Sequence, residues 1–111
     1  MTHFCDNIVS FLKKSAVKLE ELQVQSALGK AEMEDKFEEI KKEARVQYQN
    51  IKSDINSKLQ NNKEYNNLKS KLENLELQLA LGKADTKDLL EEQKKNLSKA
   101  FQEVKDFINN K

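Results

Sequence analysis

The chain of 111 residues contains no proline and no tryptophan, and it has only two glycines, one cysteine and one histidine. Two isolated glycines cannot form a glycine-rich phosphate-binding loop. A single cysteine cannot form an internal disulfide, and a lone thiol is typical of a reducing compartment, so we expect a cytoplasmic protein. No apolar run approaches the length of a membrane span. The N-terminal segment also lacks the order of charged and apolar residues that marks a secretion signal.

The residue types that carry catalysis and metal binding are scarce. His3, Cys5 and Asp6 lie close together and are metal-ligand types, but a structural zinc site needs four ligands and no second cluster exists. Adjacent carboxylates such as Glu38 and Glu39 are numerous, but acid–base catalysis requires a pocket that shifts their pKa. We therefore predict no metal site, no cofactor and no enzymatic activity.

Charged residues are abundant instead, at 35% of the chain, with a net charge of +1. Near-neutral charge disfavours a nucleic-acid partner, because affinity for nucleic acids comes largely from neutralising phosphates. Ala, Glu, Lys, Leu and Arg number 54 of the 111 residues, or 49%, which is typical of long helices or coiled coils. Opposite charges four positions apart predict solvated outer faces, as in the pairs Glu32–Lys36, Glu38–Lys42 and Glu91–Lys95.

The phrase ALGKA occurs twice, at 27–31 and at 80–84. Aligning residues 19–58 with residues 72–111 needs no gap and gives 19 identities in 40 positions, many of them charged surface types. Convergence on a helical pattern would match apolar positions and leave surface charges scattered. The match therefore predicts a single domain, 1–111, built by duplication of one unit of about 53 residues. The first repeat is about 1–58 and the second about 59–111.

Apolar residues recur at alternating steps of three and four, which predicts amphipathic helices and no strands. The predicted buried stripes of the first repeat contain Ile8, Leu12, Leu19, Leu22, Met33, Phe37, Ile40, Ala44, Tyr48, Ile51, Ile55 and Leu59. Those of the second contain Tyr65, Leu68, Leu72, Leu75, Leu79, Leu90, Leu97, Phe101, Val104 and Ile108. Tyr48 and Phe101 are equivalent in the two repeats, so we expect them in related core layers.

Gly29 and Gly82, at the centres of the two ALGKA copies, indicate helix ends. Glycine commonly ends a helix in the left-handed conformation, which it adopts without a side-chain penalty. Each repeat is then an αα-hairpin, and two hairpins make an antiparallel four-helix bundle. Asp85 is the expected N-cap of the last helix. The alternative is three helices with one long central helix over about 31–81, and residues 60–63, which lack glycine and proline, leave both open.

Several apolar residues widen the stripes, which indicates either packing against two neighbours or a further interface. They are Val9, Phe11, Val17, Leu77, Leu81, Leu89 and Phe107. We expect a protein-interaction or self-association module, with a protein partner or a second copy. A lipid-binding helical protein is the alternative, and an RNA-binding bundle is the least favoured. The candidate partner or membrane contact is the apolar patch of Phe4, Ile8, Val9, Phe11 and Leu12.

Overall fold

The computed structural model describes residues 2–25, 29–59, 66–84 and 86–109, with the backbone alone for 2–5 and 58–59. This part of the chain forms four helices and contains no strand. The helices are α1 Thr2–Gln23, α2 Lys30–Leu59, α3 Asn66–Leu79 and α4 Lys87–Asn109. The protein is therefore all-α, as the apolar periodicity predicts.

The four helices pack as a ring in which each helix runs antiparallel to its neighbours. The closest packing is within the hairpins, α1 with α2 and α3 with α4, while α1 with α4 and α2 with α3 close the ring. Ion pairs mark the antiparallel register: Lys18 meets Glu43 at 2.6 Å between α1 and α2. Lys52 meets Glu76 at 2.7 Å between α2 and α3. The predicted antiparallel four-helix bundle is confirmed, and its extents are 46 × 22 × 20 Å.

The alternative of one long central helix over about 31–81 is wrong, because α2 and α3 lie side by side. The guanidinium Nη1 of Arg45, on α2, donates to the carbonyl of Leu79, at the end of α3, at 3.3 Å. In a continuous helix these residues would lie about 51 Å apart along the axis, at about 1.5 Å per residue. Residues 60–63, where the sequence leaves a turn open, lie outside the described residues.

Both glycines lie in connections between helices, as predicted, but the left-handed conformation is wrong for both. Neither glycine has a positive φ. The first connection shows why: α1 has already ended at Gln23. The carbonyl of Gly29 accepts the amide of Met33 at 2.9 Å, which is the first hydrogen bond of α2. Gly29 is therefore the N-cap of the following helix, a position that glycine tolerates well.

The second connection is longer, because α4 begins only at Lys87. Gly82 follows the end of α3 by three residues and caps no helix. The N-cap of α4 is Thr86, whose carbonyl accepts the amide of Leu90 at 2.9 Å and whose hydroxyl accepts the amide of Leu89 at 3.1 Å. The carbonyl bond is the first hydrogen bond of α4, and the hydroxyl satisfies one of the amides that a helix start leaves without a partner. Asp85, the expected cap, lies outside the described residues.

The described parts of the two ALGKA copies therefore differ in structure. Lys30 and Ala31 begin α2, whereas the equivalent Lys83 and Ala84 lie in the connection between α3 and α4. Ala84 is fully buried, and its amide donates to Oε2 of Glu38 on α2 at 3.1 Å. The Glu38 carboxylate thus accepts a hydrogen bond from a backbone amide that would otherwise find its acceptor within a helix.

The core follows the predicted stripes closely. Buried members are Ile8, Leu12, Leu19, Leu22, Phe37, Ile40, Ala44, Tyr48, Ile55, Leu68, Leu72, Leu75, Leu79, Leu90, Leu97, Phe101 and Val104. Met33, Ile51 and Ile108 are partly buried against them. The Phe11 ring lies 5.8 Å from the ring of Tyr48 and 6.1 Å from that of Phe101, so the three form one aromatic layer. The duplication itself stays a prediction.

Candidate functional site

A surface groove lies between α1 and α4, here called the α1/α4 groove, with a cavity volume of about 250 Å³. The α1 side is lined by Val9, Leu12, Lys13, Ala16, Val17, Leu19 and Glu20. The α4 side is lined by Ser98, Phe101, Gln102, Lys105, Ile108 and Asn109. Its floor is therefore apolar and its rim is polar or charged, which is the composition of a surface that binds another molecule.

The groove exists because small side chains stand where the two hairpins meet. Ala16 on α1 and Ser98 on α4 both line it, and neither is large enough to fill the space between the helices. Val17 stands at the rim with 43% of its surface exposed. An exposed valine beside an apolar floor leaves apolar surface that a partner can cover.

The apolar patch that the sequence offers as a contact surface divides between the core and the groove. Ile8, Phe11 and Leu12 are buried in the core. Val9 is half-buried and lines the α1/α4 groove, and the Phe4 side chain lies outside the described residues. A membrane or partner can therefore reach Ile8 and Phe11 only if α1 leaves the bundle. The α4 half of the groove was missed, because no local pattern in the sequence indicates that α4 packs beside α1.

Three charged residues line the groove and divide it into two halves. Lys13 on α1 and Lys105 on α4 are exposed and lie in the half where the start of α1 runs beside the end of α4. Glu20 lines the other half. None of the three forms an ion pair or hydrogen bond with any described residue. Their charges are therefore available to a bound molecule.

A second polar cluster surrounds Lys41, which is 1% exposed on α2. Its ammonium donates to the carbonyls of Leu81 and Gly82 at 3.2 Å each, and to Oε1 of Gln93 at 2.8 Å. Oε2 of Glu38 lies 3.0 Å from the same nitrogen. The cluster joins α2, the end of α3 and α4. A cation here neutralises the negative end of the α3 dipole and satisfies carbonyls that have no helical partner.

Sequence reasoning missed this cluster and its counterpart on α4. It placed Glu38 and Glu91 with lysines four positions on, on solvated faces. The structure pairs them with lysines three positions on, and these lysines are buried: Lys41 with Glu38, and Lys94, 6% exposed, with Glu91 at 3.0 Å. The available signal was that both lysines lie in register with the buried stripes. Lysine stems can bury along apolar surface.

Three of the described side chains have a raised pKa. Burial, with the nearby carboxylates of Glu76 and Glu73, raises the pKa of Tyr48 to about 12. Hydrogen bonds to Glu43 and Glu34 raise the pKa of the exposed Lys18 and Lys83, respectively. Each shift stabilises the protonated form of a structural group.

Among the described residues, no three His, Cys, Asp or Glu side chains come together as a metal site would require. The side chains of His3 and Cys5 are not among those that the structure describes. Over the same part of the chain, no helix has both the length and the apolar character needed to cross a bilayer.

Comparisons with known proteins identify no relative of this chain. The chain matches no protein-family model, and no curated protein or solved structure is significantly similar to it.

Proposed function

We propose that the protein is a non-enzymatic, cytoplasmic interaction module that binds a helical protein segment in the α1/α4 groove. The observation that carries this proposal is the groove itself, an open apolar channel rimmed by charges that no described residue neutralises. Apolar surface gains free energy when a partner removes it from water. The lone cysteine supports the reducing compartment.

The shape of the groove favours a helix over a small molecule. A cavity of about 150 Å³ holds one benzene, so about 250 Å³ accommodates one or two large apolar side chains. Pockets for small molecules usually start at about 300 Å³ and enclose most of the ligand. A helix lying along the groove would insert a few apolar side chains and leave its other face in water.

The alternative function, lipid binding, requires the fold to change. It uses apolar side chains of α1 that are buried in the closed bundle, including Ile8 and Phe11, so the bundle would have to open. The groove needs no such rearrangement. Flotation with anionic vesicles separates the two functions, since co-migration accompanied by loss of Phe11–Tyr48 packing would favour the lipid function.

Site-specific photocrosslinking in the source cell tests the interaction module. A photoreactive phenylalanine analogue at position 17 lies on the rim of the groove, and the same analogue at position 46 is the control. Val17 and Val46 are both exposed valines, at 43% and 57%, but Val46 is not a lining residue of the groove. We expect one discrete crosslinked protein from position 17 and none from position 46. Indistinguishable products from the two positions would refute the groove as the binding surface.

A further inference from the structure

The length of the α1/α4 groove sets the size of what it can bind. On α1 the lining runs from Val9 to Glu20, and on α4 from Ser98 to Asn109, twelve residues on each helix. At about 1.5 Å per residue this is about 17 Å, or three helical turns. A helix of that length presents apolar residues at i, i+3, i+4 and i+7, which is enough to cover the floor.

The charges of the groove constrain the chemistry of the occupant. Lys13 and Lys105 stand on opposite sides of the same half and have no ion-pair partner among the described residues. Cations in such positions are complementary to carboxylates at the edge of a docked apolar face. Glu20, the one acidic lining residue, lies at the other end.

We propose that the α1/α4 groove binds three turns of an amphipathic helix from a partner protein, with acidic side chains beside Lys13 and Lys105. The apolar face of that helix covers Ala16, Val17 and the floor of the groove. This inference rests on the interaction function proposed above and adds the charge class of the partner. It makes the two lysines determinants of specificity, while the apolar floor supplies affinity.

Two synthetic helical peptides serve as probes. Both are hydrocarbon-stapled, about 18 residues long, because short free helices are marginal in water, and both have leucines at i, i+3, i+4 and i+7. One has glutamates flanking the leucines and the other has lysines. Fluorescence anisotropy with the full chain should show the glutamate peptide binding about tenfold more tightly at about 25 mM salt. The preference should shrink toward unity at about 500 mM salt, where exposed charges are screened.

Variants of the protein assign that preference to the groove. Lys13→Glu with Lys105→Glu should reverse it, so that the lysine peptide binds more tightly. The control pair, Lys42→Glu with Lys95→Glu, makes the same change in net charge at exposed lysines outside the groove. The control pair should keep the preference for glutamate, apart from a small reduction. Val17→Asp should weaken both peptides at least about tenfold, because it places a charge against the apolar face.

Each outcome separates the charge inference from the proposed function. If the two peptides bind equally and Val17→Asp abolishes that binding, the acidic partner is overturned and the groove remains a helix-binding site. Absence of any binding sensitive to Val17→Asp would overturn both. A dimer of the chain that dissociates in the Val17→Asp variant, seen by sedimentation equilibrium, would make the occupant a second copy and overturn the partner. Displacement of both peptides by sodium laurate or anionic vesicles would overturn the protein partner and make the occupant of the groove a lipid.

Discussion

Replacement of Lys41 by methionine should be the most destabilising change at any charged residue of the bundle. Methionine keeps an apolar stem of similar length but removes the ammonium. The carbonyl of Leu81 then loses its donor, and Glu38 loses the cation 3.0 Å away. Gly82 keeps one donor, because the side-chain amide of Gln93 donates to its carbonyl at 3.1 Å. Oε1 of Gln93 also loses a donor, but that side chain is half-exposed and water can replace the bond. The two costly losses are therefore the donor to the Leu81 carbonyl and the ion pair.

The magnitude follows from those two losses. A buried acceptor without a partner costs about 1–3 kcal/mol, and the part-buried carbonyl of Leu81 lies at the lower end of that range, at about 1 kcal/mol. The Glu38 side chain is 28% exposed, so its ion pair contributes at most about 1 kcal/mol. Together they predict that the free energy of unfolding falls by about 2 kcal/mol. For a chain of this length the total is about 5–15 kcal/mol, so the loss is large enough to measure.

The repeat-equivalent lysine supplies the control. Lys94→Met removes the ammonium of the other buried lysine, but the described partner of Lys94 is Glu91 alone, and that side chain is 61% exposed. We expect a loss of about 1 kcal/mol or less. Urea unfolding followed by far-UV circular dichroism gives both values, provided that the slope with urea is unchanged. Equal losses for the two variants would refute the argument that Lys41 closes the end of α3.

Three further predictions concern single positions. Gly82→Ala should leave stability unchanged or raise it by up to about 1 kcal/mol in thermal or urea unfolding, because Gly82 has no positive φ and an added Cβ meets no atom within 4 Å. A loss of more than about 1 kcal/mol would contradict the backbone conformation of Gly82. Thr86→Ala should cost about 1 kcal/mol by removing the N-cap of α4, while Thr86→Ser should restore most of it. The pKa of Tyr48 is raised from 10.0 to about 12, so the folded state favours the protonated hydroxyl. The contribution of this shift to stability is complete below pH 10 and is lost as the pH rises through 12. Tyr48→Phe should therefore lose less stability than the wild type between those pH values, by up to about 3 kcal/mol, and parallel alkaline unfolding curves would count against the buried hydroxyl.

The apolar spacing determined most of the fold by itself. Steps of three and four place residues such as Phe37, Ala44 and Tyr48 on one helical face whatever the rest of the chain does, and all three are buried. The two glycines, Gly29 and Gly82, correctly marked the connections. These features depend on residues close together in the sequence, and local geometry fixes them.

Only the tertiary structure decided the site and the details of the connections. The α1/α4 groove joins residues about 90 positions apart, such as Leu12 and Phe101, and no local pattern records that proximity. The burial of Lys41 depends on carbonyls at the end of α3, which lie 40 and 41 positions along the chain. The described parts of the two ALGKA copies differ for a related reason: Oε2 of Glu38 on α2 accepts the Ala84 amide, and Thr86, whose repeat equivalent is Met33, caps α4 at a later position.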